Sequence, residues 1–498
     1  MHALLALALA IVPPSILIQG GTVYDGSGRA GKVLDVRIQG DTIVAVGRLK
    51  PLAGDRIVSA RGLAVAPGFI DAHSHADEGI KDHPDAESQV RQGITTSVVG
   101  QDGEWKEPVR PYLTGIENIH PAINFAAFSG EGGIREKVMG KDFQRVARPG
   151  EIRTMAALVE EDMKDGALGL STGLEYNPGW YSSTEELIAM GKMAAKYHGI
   201  YISHVRDETN GELQAFQELI RIGRESGMPA QISHIKLAVA SMWGKYDEVR
   251  KLFADSDKPQ AARRRPQFPL TADIYPYTYW SSTISVLTNS RDWGNKKVWE
   301  EGLKDVGGAQ NVRLVRYTPD RTWVGKTLAE ISKTTGKDPA SLIMEAIDKT
   351  KDGKGEEGIV CTAMREEDLR RFLAMPQIMF CTDGSIGGSH PRGAGSFPRI
   401  LGRYVREQHI VSLAEAIRKG TSFPASRFGL TGRGLIAKGM KADVVVLDPR
   451  TIIDEATPEN PTANSVGIVD VFVNGVPVLE NAKMTGRRGG RALLKAAN

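Results

Sequence analysis

The sequence has very little cysteine and no excess of charge of either sign. Only Cys361 and Cys381 occur among 498 residues, which excludes a disulfide framework, and their spacing fits no zinc knuckle. The formal net charge is +3, and acidic and basic residues are interspersed except at 263–265, an arginine triplet that we interpret as a solvated loop. This balance gives no sign of a nucleic-acid groove.

Long apolar runs are scarce as well. The run at 3–12 is shorter than the roughly 20 residues that a transmembrane helix needs, so no stable membrane span is predicted. Its length is typical of the apolar part of a secretory signal, but no Lys or Arg precedes it. Two expectations therefore remain for residues 1–14. As a signal they would make the protein periplasmic or secreted, and as a simple tail they would leave it cytoplasmic. The sequence leaves both open.

Glycine, in contrast, is abundant, with 55 residues, while the apolar fraction of 41% and the charged fraction of 25% are ordinary for soluble domains. Such a glycine content favours many tight turns between strands and helices. A chain of 498 residues is too long for one compact core, so we expect a large domain and a smaller second one.

Both ends of the sequence contain short, partly alternating apolar runs separated by turn residues. This pattern predicts antiparallel strands, and Asn474-Gly475 is a typical hairpin signal. We therefore predict a discontinuous β-sandwich domain formed by residues 15–65 and 435–488.

Between these ends, short apolar strands alternate with helical patterns, which favours βα units around a parallel sheet. Eight strands are predicted, at 68–72, 94–99, 122–128, 167–171, 200–203, 230–233, 270–274 and 378–382. The pattern predicts an α/β fold with a (β/α)8 TIM barrel over residues 66–434, whose functional groups gather at the carboxyl ends of the strands. Roughly 100 residues separate the last two strands, too many for one crossover helix. We therefore predict an insertion at about 281–349.

Four histidines and one aspartate stand at the ends of predicted strands. His73 and His75 are two positions apart, so both imidazoles can face one metal ion. His204 and His234 each directly follow a short apolar strand, although each alone would also fit an ordinary hydrogen-bonding histidine. Asp383 follows the last strand, where it can take a proton from metal-activated water or, alternatively, cap a helix. Together these positions favour a metal centre.

Further motifs make the sequence resemble one family over nearly its whole length. These are the segments 166–174, 176–179, 273–277 and 439–443 and, most distinctively, Gly387-Gly388-Ser389-His390-Pro391-Arg392-Gly393. With the His73-Ser74-His75 segment, they resemble the N-acyl-D-amino-acid deacylase (D-aminoacylase) family of the amidohydrolase superfamily.

The resemblance implies a metal-dependent enzyme that hydrolyses the amide bond of an N-acyl-D-amino acid to a free D-amino acid and a carboxylic acid. It implies that His73 and His75 serve one metal position, and that His204 and His234 serve the neighbouring one. Asp383 would be a metal ligand and the general base that passes a proton to the leaving amine. The expected cofactor is one or two Zn²⁺ ions, and the preference for D-amino acids follows from the resemblance alone.

One position departs from the family pattern. Gly100-Gln101-Asp102-Gly103 stands where the family has a Gly-Asn-Cys-Gly turn whose cysteine binds metal. Asp102 is expected to be a ligand that bridges two ions, the alternative being a simple turn residue. Because a hard oxygen ligand replaces a soft sulfur ligand, we expect the site to bind Mn²⁺ or Fe²⁺ as well as Zn²⁺.

Three residues are expected to bind the substrate. Lys236 lies two positions after His234, and Arg392 is expected on a loop after the last strand. A guanidinium pairs bidentately with a carboxylate and a lysine adds a second cationic contact, so both would hold the α-carboxylate of an acyl-amino acid. Tyr275 is expected to donate its hydroxyl to the substrate, although a packed aromatic ring would fit that position equally well.

Two other functions stay open on the sequence alone. The same metal chemistry would suit a cyclic-amide, lactone or dipeptide hydrolase on this scaffold, because any polarised carbonyl is a target. A non-catalytic protein that keeps the fold is the second alternative. The acyl group, the preferred side chain and the oligomeric state are not determined by the sequence.

Overall fold

The structure, a computed structural model, describes residues 15–256 and 270–495. The expectations for residues 1–14 and for the arginine triplet at 263–265 lie outside these ranges. Within them, no helix is both long and apolar enough to cross a bilayer.

Eight parallel strands form the centre of the molecule, and each overlaps a predicted strand. Every residue in them is buried, as expected for a parallel sheet that is covered on both faces. They are Phe69–Asp71, Ile94–Val99, Asn124–Ala127, Gly169–Gly173, Ile200–His204, Ala230–Ile232, Thr271–Ile274 and Ile378–Phe380.

Hydrogen bonds join these strands into a barrel. The first three form one sheet, and the other five form a second sheet together with the short strand Ser129–Gly130. At one junction the backbone N–H of Ala72 donates to the carbonyl of Phe380 at 3.3 Å, and at the other Leu168 donates to Ala127 at 2.9 Å. The predicted (β/α)8 barrel is therefore confirmed.

Helices cover the outside of the barrel. In Glu212–Ser226, the residues Ala215, Phe216, Leu219 and Ile222 are buried at helical spacing, so one face of the helix packs inward. Gly227 ends this helix with a φ of 85°, a conformation that suits glycine. The others are Glu87–Val90, Val109–Asn118, Glu131–Met139, Pro149–Lys164, Thr184–Ala195, Tyr246–Ser256, Glu366–Ala374, Arg392–Arg399, the π-helix Ile400–Glu407, Leu413–Gly420 and Ser422–Phe428.

An inserted segment separates the last two barrel strands. Its strands Trp280–Ser282, Val312–Tyr317 and Glu357–Cys361 form a three-stranded antiparallel sheet. Its helices are Lys296–Asp305, Leu328–Thr335 and Pro339–Thr350. The last of the three strands lies beyond the end predicted at about 349, because it returns to pair with both earlier strands and local sequence pattern does not encode such pairing.

Strands from both ends of the described chain form one nine-stranded sheet. Val444–Leu447 pairs antiparallel with Ala64–Pro67, which joins the two parts. Side chains from both parts pack into a separate apolar cluster that includes Val36, Ile43 and Phe472. The remaining strands are Ser15–Val23, Lys32–Gln39, Thr42–Gly47, Asp55–Ser59, Ile468–Val473, Val476–Glu480 and Lys483–Met484. Because Ala64–Pro67 continues almost directly into the first barrel strand, this sheet also anchors the segment that carries His73.

Candidate metal centre and active site

The six predicted metal ligands converge at the carboxyl ends of the barrel strands, in two groups that share one residue. Within each group the candidate ligand atoms lie within 4.8 Å of one another. The first group is His73, His75, Asp102 and Asp383, and the second is Asp102, His204 and His234. Because Asp102 belongs to both, its carboxylate would serve both positions if two ions were bound.

Three of these ligands have an unusual backbone conformation. The φ angles of Asp102, His234 and Asp383 are 54°, 34° and 49°. Such left-handed conformations at non-glycine residues cost roughly 1–3 kcal/mol each and persist only where the surroundings fix them. Here the N–H of His234 donates to Asp273 Oδ1 at 2.7 Å, and the N–H of Asp383 donates to the carbonyl of His73 at 2.8 Å. The barrel thus holds these side chains towards one point.

Buried nitrogen and oxygen atoms that lack a hydrogen-bond partner make the place where the ligands meet suited to a cation. Within the described chain, neither ring nitrogen of the fully buried His73 has a hydrogen-bond partner, and the same holds for Asp102 Oδ1. These two groups face each other, with His73 Nε2 at 3.5 Å from Asp102 Oδ1. Unsatisfied buried polar groups cost about 1–3 kcal/mol each, a cost that a bound ion would remove. Imidazole nitrogens with carboxylate oxygens suit Zn²⁺ and also harder divalent ions.

The surroundings of both aspartates of the centre favour their ionised forms. Burial alone would raise the pKa of Asp102, but the neighbouring imidazoles of His73, His234 and His75 outweigh burial and hold that pKa well below its usual range. Burial would likewise raise the pKa of Asp383, and the nearby Arg392 and histidines outweigh it and keep that pKa low. Both side chains are therefore available as anionic ligands.

Asp383 is also paired with Arg392. Arg392 Nη1 lies 2.7 Å from Asp383 Oδ2, and the guanidinium lies 4.8 Å above the ring of Tyr275. The other oxygen of the carboxylate, Oδ1, faces His75 Nε2 at 3.4 Å. The two oxygens of Asp383 thus point to different partners, one towards the metal ligands and one towards Arg392.

The expected loop position of Arg392 is wrong, because Arg392 is the first residue of the helix Arg392–Arg399. Its backbone N–H donates to Nδ1 of His390 at 3.0 Å, while Nε2 of His390 faces the carbonyl of Tyr279 at 3.0 Å. With Nδ1 as acceptor, Nε2 carries the proton and donates to that carbonyl. Sequence reasoning did not single out His390, although it lies in the distinctive 387–393 motif.

Tyr275 presents a free hydroxyl to the same cavity. The side chain is 1% exposed, and its hydroxyl has no hydrogen-bond partner among the described residues. Burial raises the pKa of Tyr275 to about 12, so the phenol stays protonated. It can therefore donate a hydrogen bond to a bound molecule.

Lys236 also reaches the site, but its charge is already balanced. Its Nζ lies 2.6 Å from Glu208 and 2.9 Å from Nδ1 of His234. A substrate carboxylate that contacts Lys236 would therefore share it with Glu208.

Two buried glutamates contact the metal-site histidines and were missed by sequence reasoning. Glu175 Oε2 lies 2.9 Å from His204 Nε2, and Glu208 Oε1 lies 3.3 Å from His234 Nδ1. Glu208 follows His204 by four positions, a spacing that could have pointed to it. Glu175 has no such local signal, because its contact joins the ends of two neighbouring strands.

An open cavity of about 590 Å³ lies over these residues. The inserted segment supplies one wall with Trp280, Val286, Val315 and Arg316, and loops of the barrel supply the rest. Small-molecule sites commonly measure about 300–1,000 Å³. The cavity therefore accommodates a small acylated compound directly above the candidate metal centre.

Asp102→Ala is expected to lower the number of metal ions bound per chain, because Asp102 alone belongs to both ligand groups. Asp102→Cys is expected to shift the preference towards zinc, since a thiolate is a softer ligand. Metal analysis of protein purified from medium with zinc, manganese or iron checks both. Asp142→Ala, at an exposed aspartate, is the matched control. If both Asp102 variants bound the same number of ions with the same order of metal preference as the wild type, Asp102 would be a turn residue and not a ligand.

Comparisons with known proteins show what this chain is similar to. Residues 56–278 and 325–479 match the amidohydrolase family. A D-aminoacylase from Alcaligenes xylosoxydans xylosoxydans is 34% identical, over 97% of this chain and 98% of the relative. An N-acyl-D-glutamate deacylase from the same organism is 33% identical, over 97% of both chains.

A solved structure of a similar protein has the same fold. The N-acyl-D-glutamate deacylase of Bordetella bronchiseptica, solved with zinc and a phosphonate inhibitor that mimics the tetrahedral intermediate, superposes with a TM-score of 0.84. That match has 30% identity and covers 97% of this chain and 100% of the other. The likeness predicted from the motifs is therefore confirmed over nearly the whole chain.

Proposed function

Because this chain belongs to the amidohydrolase family, we propose that it hydrolyses the amide bond of N-acyl-D-amino acids in a metal-dependent reaction. The products are a free D-amino acid and a carboxylic acid. The observation that carries the proposal is the pair of ligand groups that share Asp102 at the mouth of the barrel, beneath a cavity of substrate size. A D-aminoacylase and an N-acyl-D-glutamate deacylase are almost equally similar to this chain, so similarity alone does not select the side chain.

The donor set fits one or two divalent ions. His73, His75 and Asp383 would hold one ion, His204 and His234 the other, with Asp102 between them. When bound, the metal supplies polarisation of the amide carbonyl and activation of water. Zn²⁺ is the first choice for this set of ligands, and the oxygen of Asp102 makes Mn²⁺ or Fe²⁺ acceptable.

Asp383 acts as the general base. It is ionised and lies among the ligands, so it can take a proton from the attacking water and deliver it to the amide nitrogen as the C–N bond breaks. The ion pair with Arg392 fixes the carboxylate in this position.

The other polar groups of the cavity hold the substrate. The free hydroxyl of Tyr275 can donate to the carbonyl oxygen as negative charge develops there. Arg392 and Lys236 supply positive charge for the α-carboxylate of the substrate. Each of the two cations is also paired with a carboxylate of the protein, Arg392 with Asp383 and Lys236 with Glu208.

A substrate panel combined with metal removal tests the proposal. N-acetyl-D-amino acids, their L enantiomers, dipeptides, a cyclic amide and a lactone are assayed before chelation, after chelation, and after zinc or manganese is returned. We expect hydrolysis of the N-acetyl-D-amino acids, its loss on chelation and its recovery with metal. Preferential turnover of L compounds, dipeptides or cyclic substrates would contradict the substrate assignment. Full activity in metal-free protein would contradict the mechanism.

A further inference from the structure

His204 contacts a different kind of group at each ring nitrogen. Its Nδ1 lies 3.1 Å from His234 Nε2, on the side of the ligand group that contains Asp102. Its Nε2 lies 2.9 Å from Oε2 of Glu175. The ring is buried, so these neighbours, rather than solvent, determine which nitrogen carries the proton.

A neutral imidazole carries one N–H and one lone pair, and a metal ion needs the lone pair. Nδ1 can therefore serve the metal only if the proton sits on Nε2. A carboxylate accepts hydrogen bonds and cannot donate one when ionised. We propose that Glu175 is a positioning residue, which accepts the hydrogen bond from Nε2 of His204 and so turns a free lone pair on Nδ1 towards the metal.

A neighbouring hydroxyl agrees with this proton position. Tyr176 Oη lies 3.3 Å from Nδ1 of His204, where without a metal it can donate to the lone pair, and 3.3 Å from Ser282 Oγ, to which it can turn when Nδ1 binds an ion. A carboxylate on the far nitrogen of a metal-bound histidine, as Glu175 is on Nε2, fixes the ring and its tautomer in many metal sites.

Glu175 is itself held from two sides. The N–H of Leu174 donates to the carbonyl of His204 at 3.0 Å, which ties this turn to the end of the strand Ile200–His204. Arg291 of the inserted segment donates from Nη2 to the carbonyl of Glu175 at 2.5 Å, and its guanidinium lies 4.4 Å from the ring of Trp180. The inserted segment therefore also supports the metal centre.

Glu175, His204 and Glu208 could alternatively form a third metal site, because their candidate ligand atoms also lie within 4.8 Å of one another. His204 would have to offer Nε2 to that ion and Nδ1 to the other, which requires a fully deprotonated ring. Glu208, moreover, is engaged by Lys236 at 2.6 Å. A proton between His204 and Glu175 satisfies the same atoms without either demand, so the positioning role is favoured.

This inference rests on the metal-dependent function proposed above, and its test is metal binding rather than turnover. The variants are Glu175→Ala and Glu175→Gln, with Glu136→Gln as the matched control, since Glu136 also lines the cavity and has no contact with a metal-site histidine among those the structure gives. Dissociation constants for zinc are measured by competition with a chelator. The visible spectrum of the cobalt(II) protein reports the geometry of the ligands.

We expect Glu175→Ala to bind zinc roughly 10- to 100-fold more weakly and to change the cobalt spectrum. Glu175→Gln should recover much of this loss, because its amide oxygen still accepts a hydrogen bond. Glu136→Gln should match the wild type, which separates positioning from a general loss of negative charge. Melting temperatures of the metal-free proteins should agree among all variants.

Three results would overturn the inference. Wild-type affinity and an unchanged spectrum in both Glu175 variants would remove the positioning role. Loss of one whole ion in Glu175→Ala, from a wild type that binds three, would make Glu175 a ligand instead. A lower melting temperature of both metal-free Glu175 variants, with normal metal binding by the folded fraction, would make its role purely structural. Failure of the wild type to bind any metal would instead contradict the proposed function itself.

Discussion

His234→Ala is expected to remove metal from the position shared with His204 and to reduce hydrolysis to background. His234 lies in the middle of the second ligand group, with Nε2 at 3.1 Å from His204 Nδ1 and 3.7 Å from Asp102 Oδ1. The side chain is buried and its backbone N–H is bound by Asp273, so its position is fixed, and alanine there offers no ligand atom. Metal content and turnover should therefore fall together.

Metal analysis and assays with added zinc or manganese measure this effect. The matched control is His83→Ala, at an exposed histidine outside both ligand groups, which should keep wild-type metal content and activity. Full metal content with normal turnover in His234→Ala would mean that His234 is not a ligand.

Asp383→Asn is expected to lower kcat by roughly 10²- to 10⁴-fold, the usual contribution of general acid–base catalysis, with KM much less affected. Asparagine keeps the size of the side chain and an oxygen that can accept from Arg392, but it cannot take up the proton of the attacking water. Steady-state kinetics at saturating metal, with metal content measured in parallel, checks this. A variant with normal kcat would remove Asp383 from the chemical step, whereas one without metal would show that Asp383 is needed chiefly as a ligand.

Arg392→Ala tests whether Arg392 binds the substrate, supports Asp383, or does both. From the sequence, its loss should chiefly weaken binding, because a charge-assisted hydrogen bond contributes about 1.5–3 kcal/mol, or about ten- to a hundredfold in KM. The structure adds a second effect, since Arg392 is the 2.7 Å partner of Asp383. We therefore expect kcat to fall as well, though less than in Asp383→Asn.

An amide substrate that lacks the α-carboxylate separates the two roles of Arg392. Arg392→Ala should lose more activity towards the acyl-amino acid than towards this analogue, and some activity towards both. Equal losses on the two substrates would leave Arg392 with the support of Asp383 as its only role. A loss on the carboxylate substrate alone would show that the ion pair with Asp383 does not matter for catalysis.

The barrel was predictable because its signals are local. Each strand is a short buried run, most of them apolar, and His73, His204, His234 and Asp383 stand within three residues of the end of such a run. In a parallel barrel all strand ends of one kind meet at one face, so locating the strands was enough to predict that these side chains would meet. Asp102 was predictable for a different reason, since the resemblance to a family supplied the position that the turn occupies.

The inserted segment and the contacts around the metal centre were less predictable. The strand Glu357–Cys361 belongs to the inserted sheet only because of pairing with Trp280–Ser282 and Val312–Tyr317. The wall that this segment gives to the cavity likewise follows from how it packs over the barrel.

The sequence by itself determined the barrel, the end of each strand to within two residues and the identity of the side chains placed there. The reason is that hydrophobic period and strand-end position are properties of a few consecutive residues. Only the tertiary structure decided which atoms face one another. Glu175 meets His204 across two neighbouring strands, Lys236 is balanced by Glu208, and Arg392 is paired with Asp383 before any substrate arrives. Such pairings depend on distances of a few ångströms between residues that no regular period of a helix or strand brings together, and local sequence pattern does not encode those distances.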